Sequence, residues 1–216
     1  MIGIRIILKF TMVNKIINLI KFKKMKKLTL IAGLAFGLFS FVPTESTSWS
    51  IDAMHSHVGF SINHLGINDV QGNFGKFDSK ITSSKVDFSD AIFEFSAEAA
   101  SVNTGLSMRD DHIKKADILD VEKFPTLTFK STSISKGKDG AYKLVGDLTL
   151  HGVTKSVELS AKYNGGTTHP MNKKSMAGFT IKGNIKRSDF GIAKEMPAPM
   201  LSDEMGINVF AEYAKN

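Results

Sequence analysis

The sequence predicts an all-β protein: an antiparallel sheet of about eight strands, closed as a barrel or folded as a sandwich, with one short helical insert. Three observations predict it. Apolar residues recur at every second position through most of the chain beyond Trp49. Short turns separate these runs, and a single stretch has helix-forming composition instead.

The opening stretch, Trp49 to Phe77, sets the pattern. Ser56, Val58, Phe60, Ile62 and His64 share one parity, and His57, Gly59, Ser61 and Asn63 share the other, as in a strand with one buried face. Leu65 to Asp69 reads as a turn, and Val70 to Phe74 as the return strand of a hairpin. Val86 to Ala99 places Ala91, Phe93, Phe95 and Ala97 opposite Glu94, Ser96 and Glu98. Thr126 to Ser135 sets Leu127 and Phe129 against Thr128 and Lys130. Tyr142 to Leu150 aligns Tyr142, Leu144, Gly146, Leu148 and Leu150; Lys155 to Tyr163 aligns Val157, Leu159, Ala161 and Tyr163. Met176 to Lys186 carries Phe179, Ile181 and Ile185, and Ile207 to Tyr213 closes the series with Val209 and Ala211. Lys138-Asp139-Gly140, His151-Gly152 and Asn164-Gly165-Gly166 are the turn signals between neighbours.

Ser101 to Phe124 breaks the alternation. Its acids precede its lysines, the order a helix dipole favours, Thr104 and Ser107 are the cap candidates, and Pro125 restarts extended structure. This insert is expected to lie over one mouth of a barrel. Asp189 to Glu204, with Pro197 and Pro199, reads as a loop.

The formal charge of +7 suggests a nucleic-acid or anionic-membrane partner until its position is considered. Residues 1–45 hold eight Lys or Arg and one acid, Glu45, leaving 20 residues of each sign in 46–216. In a balanced body only a local cluster could supply the basic face that nucleic acid requires, so no nucleic-acid partner is expected. The basic excess belongs to a leader. Met25-Lys26-Lys27 precedes the uncharged 15-residue run Leu28 to Val42, the pattern of a secretory signal. That run is shorter than the roughly 20 residues of a spanning helix. The expected location is periplasmic or secreted after signal removal; the alternative is anchorage at the inner membrane, because no A-x-A site follows the apolar run. Residues 1–24, with seven Ile, five Lys and no acid, read as a doubtful extension ahead of a true start at Met25. The expected organisation is therefore 1–24 extension, 25–48 signal and short linker, and 49–216 a single domain. The chain has no Cys, which excludes a lipobox and leaves core burial to hold the exported fold.

Motifs for catalysis are weak. His55 and His57 form an H-x-H pair on what reads as one strand face, but parity turns His64 the other way, so no metal site is expected. Gly105-Leu106-Ser107-Met108-Arg109 carries Arg where a nucleophile elbow needs its second Gly. Asp110-Asp111-His112 are successive residues of the insert and do not face one another on a helix. No Gly-rich phosphate loop is present. What remains is a wealth of inward apolar and aromatic residues, including many of the 16 Phe, which form either a filled core or the lining of a cavity.

These residues also occur in a recognisable order. Trp49, Asp52, His55-Ser56, Phe60, His64 and Gly72-x-Phe74 are followed by Thr104, Asp111-His112 and Phe124-Pro125-x-Leu127-x-Phe129. Then come Gly146 to Lys155 (GDLTLHGVTK), Arg187 to Gly191 (RSDFG) and Leu201-Ser202-Asp203. The set resembles the YceI-like family of exported, lipocalin-like barrels that bind polyisoprenoids and related lipids, and the resemblance covers 49–216. It implies an extended antiparallel eight-stranded barrel whose apolar tunnel holds an isoprenoid quinone, a polyprenyl chain or a fatty-acyl molecule, with no enzymatic activity and no cofactor besides that lipid. The lipocalin marker G-x-W is absent, Ser48-Trp49-Ser50 standing in its place, so the likeness to lipocalins is architectural.

On this reading Val58, Phe60, Ile62, Phe74, Phe93, Phe95, Leu127, Phe129, Leu144, Leu148 and Phe179 line the ligand site. Arg109, Asp111 and His112 are the head-group candidates at the mouth. Transient contact with a membrane or an electron-transfer membrane protein is a further expectation, and a dimer is compatible with it. Two other readings stand beside the carrier: an enzyme or accessory factor working on an isoprenoid lipid with Asp111 and His112 at the mouth, and a stress-related interaction module whose barrel is filled by its own side chains.

Overall fold

The computed structural model describes residues 45–137 and 140–216. The extension, the signal run and part of the Lys138-Asp139-Gly140 turn lie outside the described residues. Among the described residues no helix is long and apolar enough to cross a membrane.

Eleven strand segments build one antiparallel sheet: β1 (Thr47–Ile51), β2 (His57–His64), β3 (Asn68–Phe74), β4 (Phe77–Ser83), β5 (Ile92–Glu98), β6 (Val102–Asn103), β7 (Thr126–Lys136), β8 (Ala141–Leu150), β9 (Val153–Thr168), β10 (Ser175–Lys186) and β11 (Leu201–Lys215). Three pairs of segments are single strands that bend. A 3₁₀ turn at Ala53–His55 breaks β1 from β2, Gly75-Lys76 separate β3 from β4, and a second 3₁₀ turn at Ala99–Ser101 parts β5 from β6. Counted so, there are eight strands. β1 pairs with both β4 and β11, which closes the sheet into a barrel. Closure removes the exposed edges of an open sheet and sets inward and outward residues alternating around the wall.

Why the segments meet in this register is visible at their turns. The two-residue connection from β8 to β9, His151-Gly152, has φ of 50° and 72°, the primed turn whose twist matches antiparallel strands. At Phe60, cross-strand partner of Gly72, the ring lies so close that a Cβ on residue 72 would stand 2.4 Å from it. Glycine there makes room for the aromatic wall. Outward faces are polar and carry ion pairs such as Lys130–Glu94 at 2.8 Å and Lys143–Glu158 at 2.6 Å, each worth tenths of a kcal/mol in water.

Several boundaries depart from the expectations. Val86 to Ala91 is not strand but a loop, and it carries Phe88 at φ 59° into the core. The Asp90 carboxylate holds this loop: it accepts hydrogen bonds from Ser83 Oγ at 2.5 Å, from the backbone N–H of Ser84 at 3.0 Å and of Lys85 at 3.2 Å, and from the Ser84 hydroxyl. Partial burial pushes the Asp90 pKa up, but these donors outweigh it and keep the carboxyl well below the usual carboxylate range. A depressed folded-state pKa contributes stability that is present above the unfolded value of about 3.9 and lost as pH falls through the folded one. Asp90→Asn is therefore expected to cost about 1–2 kcal/mol at neutral pH and to flatten the decline of stability below about pH 4, measured by urea titration at several pH values.

His55 does not share a strand face with His57. It ends the 3₁₀ turn, where its Nδ1 bonds the Asp52 carboxylate at 2.9 Å, while β2 starts only at His57. The helical insert contains one short helix, α1 (Ser107–Ile113), and neither Thr104 nor Ser107 caps it: Leu106 occupies the cap position without a side-chain bond. β11 begins at Leu201, within the stretch read as a loop, because the strand pairs with β2 from Leu201 onward.

Candidate functional site

Inside the barrel lies a cavity of about 470 Å³, within the range of roughly 300–1,000 Å³ typical of small-molecule sites. One end is closed by aromatic packing. Phe179 is 1 % exposed, and its ring lies 5.1 to 5.9 Å from those of Phe88, Phe93, Tyr163 and Tyr213. Trp49 backs Phe88 at 5.3 Å. Phe93 and Tyr213 are also cavity walls, so this plug is the inner end of the cavity. The Tyr213 hydroxyl is not left bare there: it shares a hydrogen bond with Ser79 Oγ at 2.9 Å, and burial pushes its pKa up to about 12.

From the plug outward the wall is aliphatic and aromatic. β2 and β3 supply Val58, Phe60, Ile62 and Phe74; β5 supplies Phe93 and Phe95. β7 and β8 supply Leu127, Phe129, Leu144 and Leu148. The sequence predicts an inward position for all ten, and all ten line the cavity. Phe179 is placed differently. It sits on the inward parity of β10, yet four rings enclose it, so it packs the plug and is not among the wall residues.

The opposite end opens at residues that both line the cavity and reach solvent: His64 at the end of β2, His112 on α1, and Met200 before β11. Arg109 lines this mouth beside His112, one helical turn away. Asp111 does not. Its side chain is 74 % exposed and pairs loosely with Lys114 at 3.6 Å. His112 instead approaches Asp117, Nε2 to Oδ2 3.3 Å. An Asp111–His112 pair for acid/base work is thus not assembled.

The loop from Phe190 to Met200 forms the rest of the mouth, and one buried cation shapes it. Arg187, 3 % exposed, donates Nε to Ser202 O at 3.0 Å, Nη1 to Ile192 O at 3.1 Å and Ala193 O at 2.6 Å, and Nη2 to Met196 O at 2.6 Å and Leu201 O at 3.0 Å. Five N–H groups meet five carbonyls, so the guanidinium is saturated by backbone dipoles without an ion pair among the described residues. Next to it Ser188 donates its N–H and hydroxyl to Asp203 at 3.0 and 2.8 Å; the hydroxyl bond first, with Arg187 contributing, holds the Asp203 carboxyl below the usual range. The loop then lays Ile192, Ala193, Met196 and Met200 along the cavity. Sequence reasoning misses this contribution, although a signal exists: the parity of Phe179, Ile181 and Ile185 continues inward to Arg187.

A closed inner end and a loop-shaped mouth place the quoted sequence motifs in one barrel. A family model described as YceI-like domain matches residues 49–213. The chain belongs to the YceI-like family. A UPF0312 protein of Vibrio cholerae serotype O1 is 32 % identical over 170 residues, covering 78 % of this chain and 89 % of the relative. The crystal structure of the Campylobacter jejuni YceI protein aligns with a TM-score of 0.64 at 33 % identity, over 76 % of this chain and 96 % of that one. A polyisoprenoid-binding domain from Saccharophagus degradans aligns with a TM-score of 0.57 at 16 % identity, over 78 % of this chain and 98 % of that one, a likeness of fold. The eight-stranded barrel with one short helix is thus a YceI-like barrel.

Proposed function

We propose that this YceI-like protein is an exported carrier that holds one long apolar lipid in its barrel: an isoprenoid quinone, a polyprenyl chain or a fatty-acyl molecule. The observation that carries the reading is the cavity itself. A wall almost wholly of hydrocarbon, closed at one end by the aromatic plug and open at the other, accepts a chain threaded plug-first with its head at the mouth. Burial of the chain supplies the affinity, about 0.8 kcal/mol for each methylene removed from water, less the cost of ordering it. The polyisoprenoid-binding description of the Saccharophagus degradans domain supports the same ligand class.

A carrier must also meet the source and destination of its cargo. The elements that frame the mouth expose large apolar side chains, among them Ile67 (83 % exposed) on the β2–β3 turn and Met108 (79 % exposed) on α1, which favours transient contact with a membrane.

Native mass spectrometry of the exported domain, purified from its envelope without detergent and followed by organic extraction, tests the reading. The expected result is a mass above that of the polypeptide, with release of an isoprenoid or acyl chain on extraction. A bare polypeptide mass, unchanged after incubation with quinones and fatty acids, would refute it.

A further inference from the structure

A second group of side chains converges on the outer surface, away from the cavity. Asp52, His55 and Glu212 each bring one nitrogen or oxygen atom to within 4.8 Å of the other two. His55 Nδ1 and Asp52 Oδ2 are the closest neighbours, 2.9 Å apart. Asp52 precedes and His55 ends the 3₁₀ turn between β1 and β2, while Glu212 lies on the outward parity of β11, between buried Ala211 and Tyr213. That places the group toward the end of β11 remote from Leu201 and the mouth. His57, the other half of the H-x-H pair, takes no part: its ring folds over Gly59, where Nε2 would stand 2.5 Å from a Cβ.

The backbone fixes all three positions. Asp52 donates its N–H to Glu212 O at 2.8 Å, and Glu212 donates its N–H to Ser56 Oγ at 3.0 Å. Asp52 Oδ1 accepts the Met54 N–H at 3.1 Å, which turns Oδ2 toward His55. Charge is less well settled than geometry. Two carboxylates converge on one histidine, and no lysine or arginine pairs with either of them among the described residues. Among those residues the hydrogen bonds of Glu212 all run through its backbone, so its carboxylate is left open. Such a set attracts a cation.

An imidazole nitrogen with two carboxylate oxygens is a donor set for a divalent ion of the zinc type, whose bonds to such atoms are about 2.0–2.2 Å long. Ligand atoms around one tetrahedral ion of that size stand about 3.4 Å apart. The separations here, from 2.9 Å to at most 4.8 Å, bracket that value, and rotation of the exposed Glu212 side chain closes the remainder. We propose that Asp52, His55 and Glu212 bind a divalent transition-metal ion, zinc being the best fit, with water completing its coordination. His55 then presents the Nδ1 lone pair and carries its proton on Nε2, and the ion replaces the hydrogen bond to Asp52. The ion joins the 3₁₀ turn to β11 beside the seam that closes the barrel. That seam is short: β1 and β11 pair over three residue pairs, against eleven between β10 and β11. The site is thus a clip on the barrel wall and is independent of the lipid.

Isothermal titration of the exported protein, free of any affinity tag, with zinc(II) tests the site, with magnesium and calcium as oxygen-seeking controls. One zinc ion per chain is expected, bound about tenfold tighter or more than either control. Glu212→Gln and His55→Gln should each weaken zinc by about tenfold or more, and His57→Gln should leave it unchanged. With zinc at about a hundredfold over its dissociation constant, the melting temperature of the parent should rise by about 5–10 °C. At the same zinc concentration either ligand variant should gain no more than about half of that. Both variants change exposed side chains, and their melting temperatures without zinc report whether they fold. The absence of saturable zinc binding overturns the proposal. So does zinc binding that survives both substitutions. Magnesium or calcium binding as tightly as zinc would overturn it too, reducing the group to a patch of negative surface in which the imidazole plays no part.

Discussion

Replacing Arg187 with leucine is expected to lower the melting temperature by about 6–12 °C and to release the loop from Phe190 to Met200. Leucine removes the shared donor of five carbonyls, those of Ile192, Ala193 and Met196 in the loop and those of Leu201 and Ser202 at the start of β11. A buried carbonyl left without a donor costs about 1–3 kcal/mol, and five together would exceed the stability of many domains. The loop borders the open mouth, so some carbonyls will turn to water, which brings the net loss to roughly 3 kcal/mol. At about 2–4 °C per kcal/mol for a domain of this size, the stated shift follows. Lysine should not rescue it, since one ammonium with three donors cannot span positions that a planar fork reaches together. Differential scanning calorimetry decides the matter, and a leucine variant melting within about 2 °C of the parent would show that loop packing alone holds the mouth. Because the same loop supplies Ile192, Met196 and Met200 to the cavity, lipid retention should fall together with the melting temperature.

Arg187 and Phe60 both face inward, yet only one of them is fully legible in the sequence. Phe60, Phe95, Leu127 and Leu144 declare themselves by period two, since a closed sheet has only an inside and an outside and parity assigns each residue to one of them. The barrel and most of its wall follow from that rule. It does not give the breaks at Ala53–His55 and Ala99–Ser101, where the strands bend, because a bend keeps the composition of a strand on either side. Nor does it separate Phe179 from Phe93. Both have inward parity, and only the approach of Phe88 from a loop decides that one ring is enclosed while the other faces the cavity. Phe88 itself hides inside an apparent strand, its loop fixed by Asp90, whose partners Ser83 and Ser84 lie in the preceding segment. Arg187 is legible as an inward parity position, but its role depends on carbonyls of a loop with no periodicity of its own.

Leu148→Trp is expected to abolish lipid retention while leaving the fold as stable as the parent to within about 1 kcal/mol. Leu148 is buried but keeps 7 % of its surface accessible, and it lines the cavity. In a filled interior the added volume forces off-rotamer side chains and costs about 1–3 kcal/mol. In a cavity of about 470 Å³ the indole enters vacant space and gains contacts, so the ligand alone is displaced. Phe60→Asp makes a complementary case. Its carboxylate would project from a largely apolar wall, so retention should fall at neutral pH, but folding suffers too, and the tryptophan variant is the one that separates wall from core. Phe179→Ala supplies the packing control, because its ring lies among four others and outside the wall; it should cost about 3–5 kcal/mol whether or not a lipid is present. Measured together by chemical denaturation and by extraction of bound lipid, the three variants separate two barrels that share one sequence pattern. Loss of lipid with stability intact at Leu148 requires an occupied cavity. Loss of stability there, equal in kind to that at Phe179, would mean an interior already filled by the chain itself.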